Sequence, residues 1–338
     1  MSSITVEHNE LKKLCSNKLQ EASVPSDQAN IISDVLVHAD LRGVNSHGVL
    51  RTEHYIKRVQ SGGLNVNPNL SMQQTGIATK VLDGDDGFGH VIANRAMEEA
   101  IKLANEIGVG IVSTINSSHC GALSYFVNEA AQNNLIGIAM THTDKFVVPF
   151  GGSEPFFGTN PIAFGLPAQK YKPVILDMAT SNAALGKILH ARKTGEEIPD
   201  DWAVDSEGNP ITDPNNFASL LPFGGPKGYG LAMVVDVLCG VLTGMNYGPH
   251  INPMYDKYNE KRKLGHLFCV INPKYFTNLS TYLENMDKLI EEIHNVQPAK
   301  GFNRVLVPGE PEQINEEQSI KNGVAVEKSV FNFLNGEL

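Results

Sequence analysis

The recurrence of apolar and polar positions divides the chain before any residue is given a role. Leu11, Leu14, Cys15, Leu19 and Ala22 return at helical spacing. Pro25-Ser-Asp27 then offers a helix start ahead of Ile31, Ile32, Val35, Leu36 and Ala39. A third helix is predicted over 49–60, stopped by Ser61-Gly62-Gly63. From residue 71 the period changes repeatedly. Short apolar or β-branched runs at 79–83, 109–113, 136–140, 173–177 and 266–271 predict strands. Segments 93–106, 122–133, 229–242 and 282–296 read as helices. Strands alternating with helices define an α/β fold. No internal repeat or low-complexity linker interrupts this order. The expected organisation is a helical N-terminal segment (1–70), an α/β core (71–272) and C-terminal helices packing back on that core (273–338), with a discontinuous arrangement. Residues 313–338 are expected to form a helix and a tail that pack on a partner chain.

Composition narrows the function classes. With 41% hydrophobic and 19% charged residues the chain is an ordinary globular protein, not a disordered one. The longest nearly apolar stretch runs over 231–245, and Asp236 interrupts it. It falls short of the roughly 20 residues of a membrane span. The start of the chain has neither a basic nor an apolar leader pattern, which predicts no secretory signal. A net charge of −10 disfavours a nucleic-acid partner and means that an anionic substrate needs locally placed cations. Cys15, Cys120, Cys239 and Cys269 form no CxxC pair and read as free thiols of a cytoplasmic protein. The eleven histidines are scattered without HExxH or HxH spacing, so no metal site is expected.

Several stretches carry candidate chemistry. Gly108-Val-Gly110 leaves a helix and enters a strand, the reverse of a Rossmann loop, and reads as a helix cap. Gly224-Gly-Pro-Lys227-Gly-Tyr-Gly230 precedes a long helix, so its backbone N–H groups and Lys227 suit either a phosphate or a plain tight loop. His47, Arg51 and Tyr55 stand four apart, on one face of the expected third helix. Arg51 can grip a carboxylate with two hydrogen bonds, or the row can be a solvated face. His119 lies in a strand-to-helix loop, where the helix end disfavours imidazolium and suits a general base; a capping histidine is the other reading. Asp177, at a strand end, can accept from a ribose diol or simply form a turn.

Taken together, these stretches resemble one family. Asp40-Leu-Arg-Gly-Val-Asn-Ser-His-Gly48, Ser118-His119 with Gly121-Ala122, Val148-Pro-Phe-Gly-Gly152 and Gly158-Thr-Asn-Pro161 carry the likeness. Asp177-Met-Ala-Thr180, Ile198-Pro-Asp-Asp-Trp-Ala-Val-Asp205, Gly225-Pro-Lys-Gly-Tyr-Gly230 and Pro308-Gly-Glu310 continue it over nearly the whole chain. The resemblance is to the malate/L-lactate dehydrogenase family whose fold is not Rossmann, the sulfolactate dehydrogenase-like group. It implies a three-layer α/β fold around a mixed sheet, a homodimer, and a nicotinamide site within 71–272. It implies His119 as acid/base. Ser46, His47, Arg51 and Tyr55 fall on the substrate side. Thr143, Asp177, Met178, Ala179, Lys227, Gly309 and Glu310 fall on the cofactor side. A finer likeness, in Leu123-Ser-Tyr-Phe-Val127, Val147-Val-Pro-Phe-Gly-Gly-Ser-Glu154, Met254-Tyr-Asp256 and Pro298-Ala-Lys-Gly-Phe-Asn303, is to the branch that oxidises (S)-ureidoglycolate to oxalurate with NAD, in purine-nitrogen catabolism. Malate, lactate or keto-sugar acids with NAD or NADP are the alternatives within the family, and a catalytically silent binding protein is the alternative outside it. Relatives often carry an aromatic residue after the acid/base histidine. Cys120 stands there in this chain, which implies a wider pocket and a thiol beside the site.

Overall fold

The computed structural model describes residues 3–337. In chain order the first elements are β1 (Ser3–Val6), α1 (His8–Glu21), α2 (Ser26–Leu41), α3 (Thr52–Gln60), β2 (Ser71–Gln74), β3 (Thr79–Asp83), α4 (Gly89–Ile107), β4 (Val109–Ser117), α5 (Leu123–Gln132) and β5 (Ile136–Thr141). Then come β6 (Ile162–Leu166), β7 (Val174–Met178), α6 (Leu185–Thr194), β8 (Ala203–Val204), β9 (Ser219–Leu220), α7 (Pro226–Asp236) and β10 (Leu264–Ile271). The chain ends with α8 (Leu279–His294), α9 (Glu310–Asn322), β11 (Val324–Glu327) and α10 (Lys328–Asn335). The predicted helices and strands all appear. The ten-residue α6 was not predicted, and neither were β1, β2, β6, β8, β9 and β11, whose two to five residues carry too little periodicity.

Seven strands form one sheet in the order β2-β3-β4-β10-β5-β6-β7. Only β3 and β4 run parallel; every other neighbouring pair is antiparallel, so the sheet is mixed. Its central strand, β10, arrives late and inserts between β4 and β5. Burial alternates residue by residue along β5, as a strand sandwiched between unequal faces requires. Helices α4 and α5 cover one face, where Ala93, Met97, Ala100, Phe126 and Val127 meet Val112, Ala139 and Phe268. On the other face Val235 of α7 and Cys239 beyond it pack on Ile162, Met140 and Leu267. The result is a three-layer α/β architecture. The 229–242 helix departs from expectation past Asp236, where Val237–Val241 widens into a π-turn. No helix among the described residues is long and apolar enough to cross a membrane.

Gly108 closes α4 with φ +93°, its N–H returning to the Ala104 carbonyl. Gly110 serves the sheet: a Cβ there would lie 2.2 Å from the Ala100 carbonyl oxygen. The helix backbone therefore presses directly on the strand, and this GxG is a packing device.

Both chain ends build a second core with α1–α3. Strand β1 pairs antiparallel with β11, Val6 opposite Val324 and Ile4 opposite Val326. Leu11, Cys15, Leu19, Leu36, Val324, Val326 and Leu334 share that core. The C-terminal tail expected on a partner chain thus packs on this chain's own N-terminal helices, because Val324 and Val326 find a strand partner there. Gly110→Ala is expected to destabilise the fold by about 1–3 kcal/mol through this overpacking, read from urea midpoints against wild type.

Candidate active site

Local geometry begins at the end of α2. The Asp40 carboxylate accepts the Val49 N–H at 2.7 Å, and Gly48 lies against it so closely that a Cβ would stand 1.8 Å from Oδ1. Burial raises the Asp40 carboxyl to about 7, while the Val49 N–H pulls it back. This anchor folds the chain into two 3-10 turns, Asn45–His47 and Val49–Arg51, ahead of α3. The expected helix over 49–60 therefore starts with a 3-10 turn and becomes α-helical at Thr52. Ser46 Oγ lies 3.0 Å from His47 Nδ1, and Arg51 Nε donates to the Ser46 carbonyl at 2.7 Å.

Strand β4 runs four residues beyond its predicted end, to Ser117. It delivers His119 to a loop facing this turn. His119 Nδ1 is 2.8 Å from the buried Tyr55 hydroxyl, and the Gly121 N–H reaches the same nitrogen at 3.3 Å. The His47 ring stacks on His119 at 5.6 Å, and His90 stands 6.2 Å away on another side. The His119 imidazole is held well below its usual pKa, first by burial and then by His47, Arg51, His90 and Arg262. The direction matches the expectation for a neutral base, but the cause is a dry, cationic surround. A Tyr55 hydroxyl can accept from Nδ1–H or donate to bare Nδ1. In the first state Nε2 carries a lone pair; in the second it carries a proton.

Two further residues complete the site, and the sequence analysis missed both. Arg262 is 2% exposed and gives Nη2 to Asp144 Oδ1 at 2.7 Å. Its Nε and Nη1 are buried without a partner. A small cavity beside it is lined by His54, Tyr55, Arg58, Ser118, His119 and Arg262. Arg58 and Arg262 thus meet at one small pocket, and among the described residues Asp144 is the one carboxylate ion-paired with either of them or with Arg51. In sequence, Arg262 lies inside Lys261-Arg262-Lys263, a run indistinguishable from solvated charge.

A larger cavity of about 540 Å³ runs from His47 and Gly121 past Ser124 and Asp177 to Gly309 and Glu312. Asp177 accepts the Ser124 N–H at 2.7 Å and reaches solvent through this cavity. Protein atoms crowding its carboxyl push it up from the usual carboxylate range. Leu123, Ile175 and Leu306 supply apolar wall. A carboxylate at one wall and apolar surfaces elsewhere fit the ribose and flat rings of a nicotinamide dinucleotide.

The residues expected on the cofactor side do not all meet. Asp177, Ala179 and Gly309 line this cavity. Lys227 is exposed in the first turn of α7, and its neighbours Gly224 and Gly225 line a separate cavity with Phe150 and Asn182. Thr143 is spent on the Thr159 N–H, at 3.1 Å. Met178 packs on the apolar face beneath α7. Glu310 faces the other way, accepting the Val307 N–H at 2.8 Å and lying 2.9 Å from His294 Nε2. Cys120 corrects its expectation: it is 1% exposed, belongs to the main core with Val35 and Leu123, and burial raises its thiol to about 12. It neither widens the pocket nor offers a reactive thiolate.

Fold and site together define an α/β oxidoreductase of non-Rossmann type. The chain belongs to the malate/L-lactate dehydrogenase family, whose model matches residues 6–335, and it is a 2-hydroxy-acid dehydrogenase. It is 42% identical over 324 residues to a ureidoglycolate dehydrogenase (NAD(+)) of Escherichia coli O157:H7, covering 96% of this chain and 93% of that protein. It is 41% identical to the L-sulfolactate dehydrogenase of Methanocaldococcus jannaschii, with the same coverage. Among solved structures, the sulfolactate dehydrogenase of Methanocaldococcus jannaschii superposes with TM-score 0.93 at 39% identity, covering 98% of this chain and 96% of that one. The malate dehydrogenase of Entamoeba histolytica gives 0.93 at 31% identity, covering 99% and 97%.

Asp40 gives a pH test. Its folded-state pKa, about 7, lies above the unfolded value near 3.9. The folded state therefore holds the extra proton between these values, and stability is lost as pH rises through that window. Wild type should lose stability relative to Asp40→Asn as pH rises from about 4 to about 7, as read from paired urea denaturations.

Proposed function

We propose that this chain oxidises (S)-ureidoglycolate to oxalurate with NAD as acceptor. The observation that carries the reading is a neutral His119 set between the guanidinium groups and the 540 Å³ cavity. The substrate carboxylate lies against an Nη of Arg51, which fixes the carbinol carbon. His119 Nε2 takes the hydroxyl proton in the tautomer whose Nδ1–H is given to the Tyr55 oxygen, which releases the 3.3 Å contact from the Gly121 N–H. The bound nicotinamide supplies the hydride acceptor. In the reverse direction the imidazolium, protonated at both ring nitrogens, polarises the carbonyl oxygen and gives it the Nε2 proton. Asp177 and Glu312 along the cavity favour NAD, since a 2′-phosphate would meet carboxylates there.

The surplus of guanidinium charge calls for a carboxylate plus a second accepting group, which the ureido carbonyl supplies. The same surplus favours a second reading, a dianionic acid such as malate or sulfolactate. The silent-binder alternative leaves the Tyr55–His119 contact without use. A homodimer and a cytoplasmic setting complete the reading. The exposed Met233, Val234 and Val237 on and just after α7 support the first, and four unpaired cysteines support the second.

The test is nicotinamide absorbance with ureidoglycolate, malate, sulfolactate, lactate and a keto-sugar acid, each with NAD and with NADP. Turnover of ureidoglycolate with NAD at the highest kcat/KM is expected; preference for a dianionic acid moves the assignment to the second reading. His119→Ala should lower kcat by at least about a hundredfold while NADH binding, followed by fluorescence, stays at the wild-type level. Wild-type turnover in that variant removes His119 from the mechanism.

A further inference from the structure

Arg51 does not present a free fork. Its Nε–H is spent on the Ser46 carbonyl at 2.7 Å, which closes one of the two edges a carboxylate could take. Its Nη1 donates to the hydroxyl of Tyr255, a residue far along the chain, and the guanidinium lies 5.8 Å from that ring's centre. Tyr255 also meets His54 edge-on at 5.2 Å. Two constraints place the ring there, and neither uses the phenol proton. A phenol carries one donor and accepts through its lone pairs. Accepting from a cation leaves the Tyr255 O–H free and polarised toward an anion.

The backbone beneath Tyr255 is held with equal care. Residues 251–263 contain no helix or strand, yet Met254 is tied from both sides. Its N–H donates to Asp144 Oδ2 at 3.1 Å, and its carbonyl accepts from Arg58 Nη1 at 3.1 Å. Arg58 Nη2 donates to the Glu260 carbonyl further along the same strap. Asp144 is also the partner of Arg262. The strap is thus registered on the charged groups of the site, and Tyr255, 36% exposed, reaches from it to Arg51.

We propose that Tyr255 is a specificity-determining residue whose hydroxyl joins Arg51 in a two-donor clamp for the carboxylate of the substrate. This rests on the reading of a 2-hydroxy acid substrate. One donor comes from an Nη of Arg51 and the other from the Tyr255 O–H. The strap 251–263 sets the distance between the clamp and His119, and so the length of acid that fits.

The test uses the full chain, wild type and Tyr255→Phe, with two readouts. The first is the affinity of the NADH complex for oxamate, an unreactive carboxylate with an adjacent carbonyl, followed by NADH fluorescence. The second is the kinetics on the acid oxidised fastest. Oxamate affinity should fall roughly tenfold, the loss of one hydrogen bond to a charged group. KM for the acid should rise by a similar factor, with kcat and NADH affinity within about twofold of wild type. Arg51→Lys should weaken oxamate further. Equal oxamate affinity in wild type and Tyr255→Phe overturns the proposal, as does a wild-type complex that ignores oxamate, or a matching loss of NADH affinity. Weakened oxamate binding in a protein that oxidises none of the acids upholds the clamp and sinks the proposed function alone.

Discussion

The Arg262–Asp144 pair is the contact on which the site depends. Both side chains are buried, and the ion pair spans 2.7 Å. Burying two charges costs several kcal/mol per ion before their attraction offsets it, and the offset is complete only when the remaining donors are satisfied. Arg262 fails that condition, since Nε and Nη1 have no partner. A fold selected for stability alone would replace the pair with apolar side chains. The space beside that open edge is about 10 Å³, enough for no more than one water. The same carboxylate accepts the Met254 N–H, so one group fixes both the cation and the strap above it.

That constraint propagates to His119. Arg51 and Arg262 both oppose a proton on its imidazole, and burial opposes it more. The histidine rests neutral although the chain as a whole carries −10. The local cations oppose the global field at this point, and they help keep His119 unprotonated. In the proposed reaction, a bound carboxylate would partly neutralise the guanidinium groups around a protonated His119. Substrate binding and base strength are thus coupled through the same few ångströms.

The sequence made much of this legible, for reasons that can be read from particular residues. α1, α2, α4, α5 and α8 are long enough for their apolar stripes to show, and β4, β5, β7 and β10 are apolar runs bounded by turns. The wrong orientation of Gly108-Val-Gly110 was readable because a cap glycine and a phosphate loop demand opposite element orders. His119 and Arg51 stood out because their motifs are local. Arg262 and Asp144 did not, because their partnership spans 118 positions and each looks ordinary among its neighbours. Cys120 was placed beside the site by adjacency to His119. The backbone between them turns, and the thiol points into the core instead. Glu310 was drawn to the cofactor side by the family resemblance, and its carboxylate closes the turn that leads into α9.

The insertion of β10 at the sheet centre explains why the site draws on such distant segments. His266 on that strand is fully buried, with Nδ1 2.7 Å from Thr141 Oγ1 on β5 and Nε2 2.8 Å from Ser117 Oγ on β4. Burial holds its imidazole down to about 3, so it bridges the strands as a neutral group. Those two neighbours lead directly into the functional loops: Ser117 precedes His119, and Thr141 precedes Asp144. Arg262 lies just before β10 begins, and its register is set by the same pairing. A one-residue slip of β10 would turn His266 out of the sheet and carry Arg262 away from Asp144. His119, Asp144 and Arg262 are therefore positioned by one strand whose sequence looks like plain core. This fold assembles its chemistry at the point where its longest-range pairing closes.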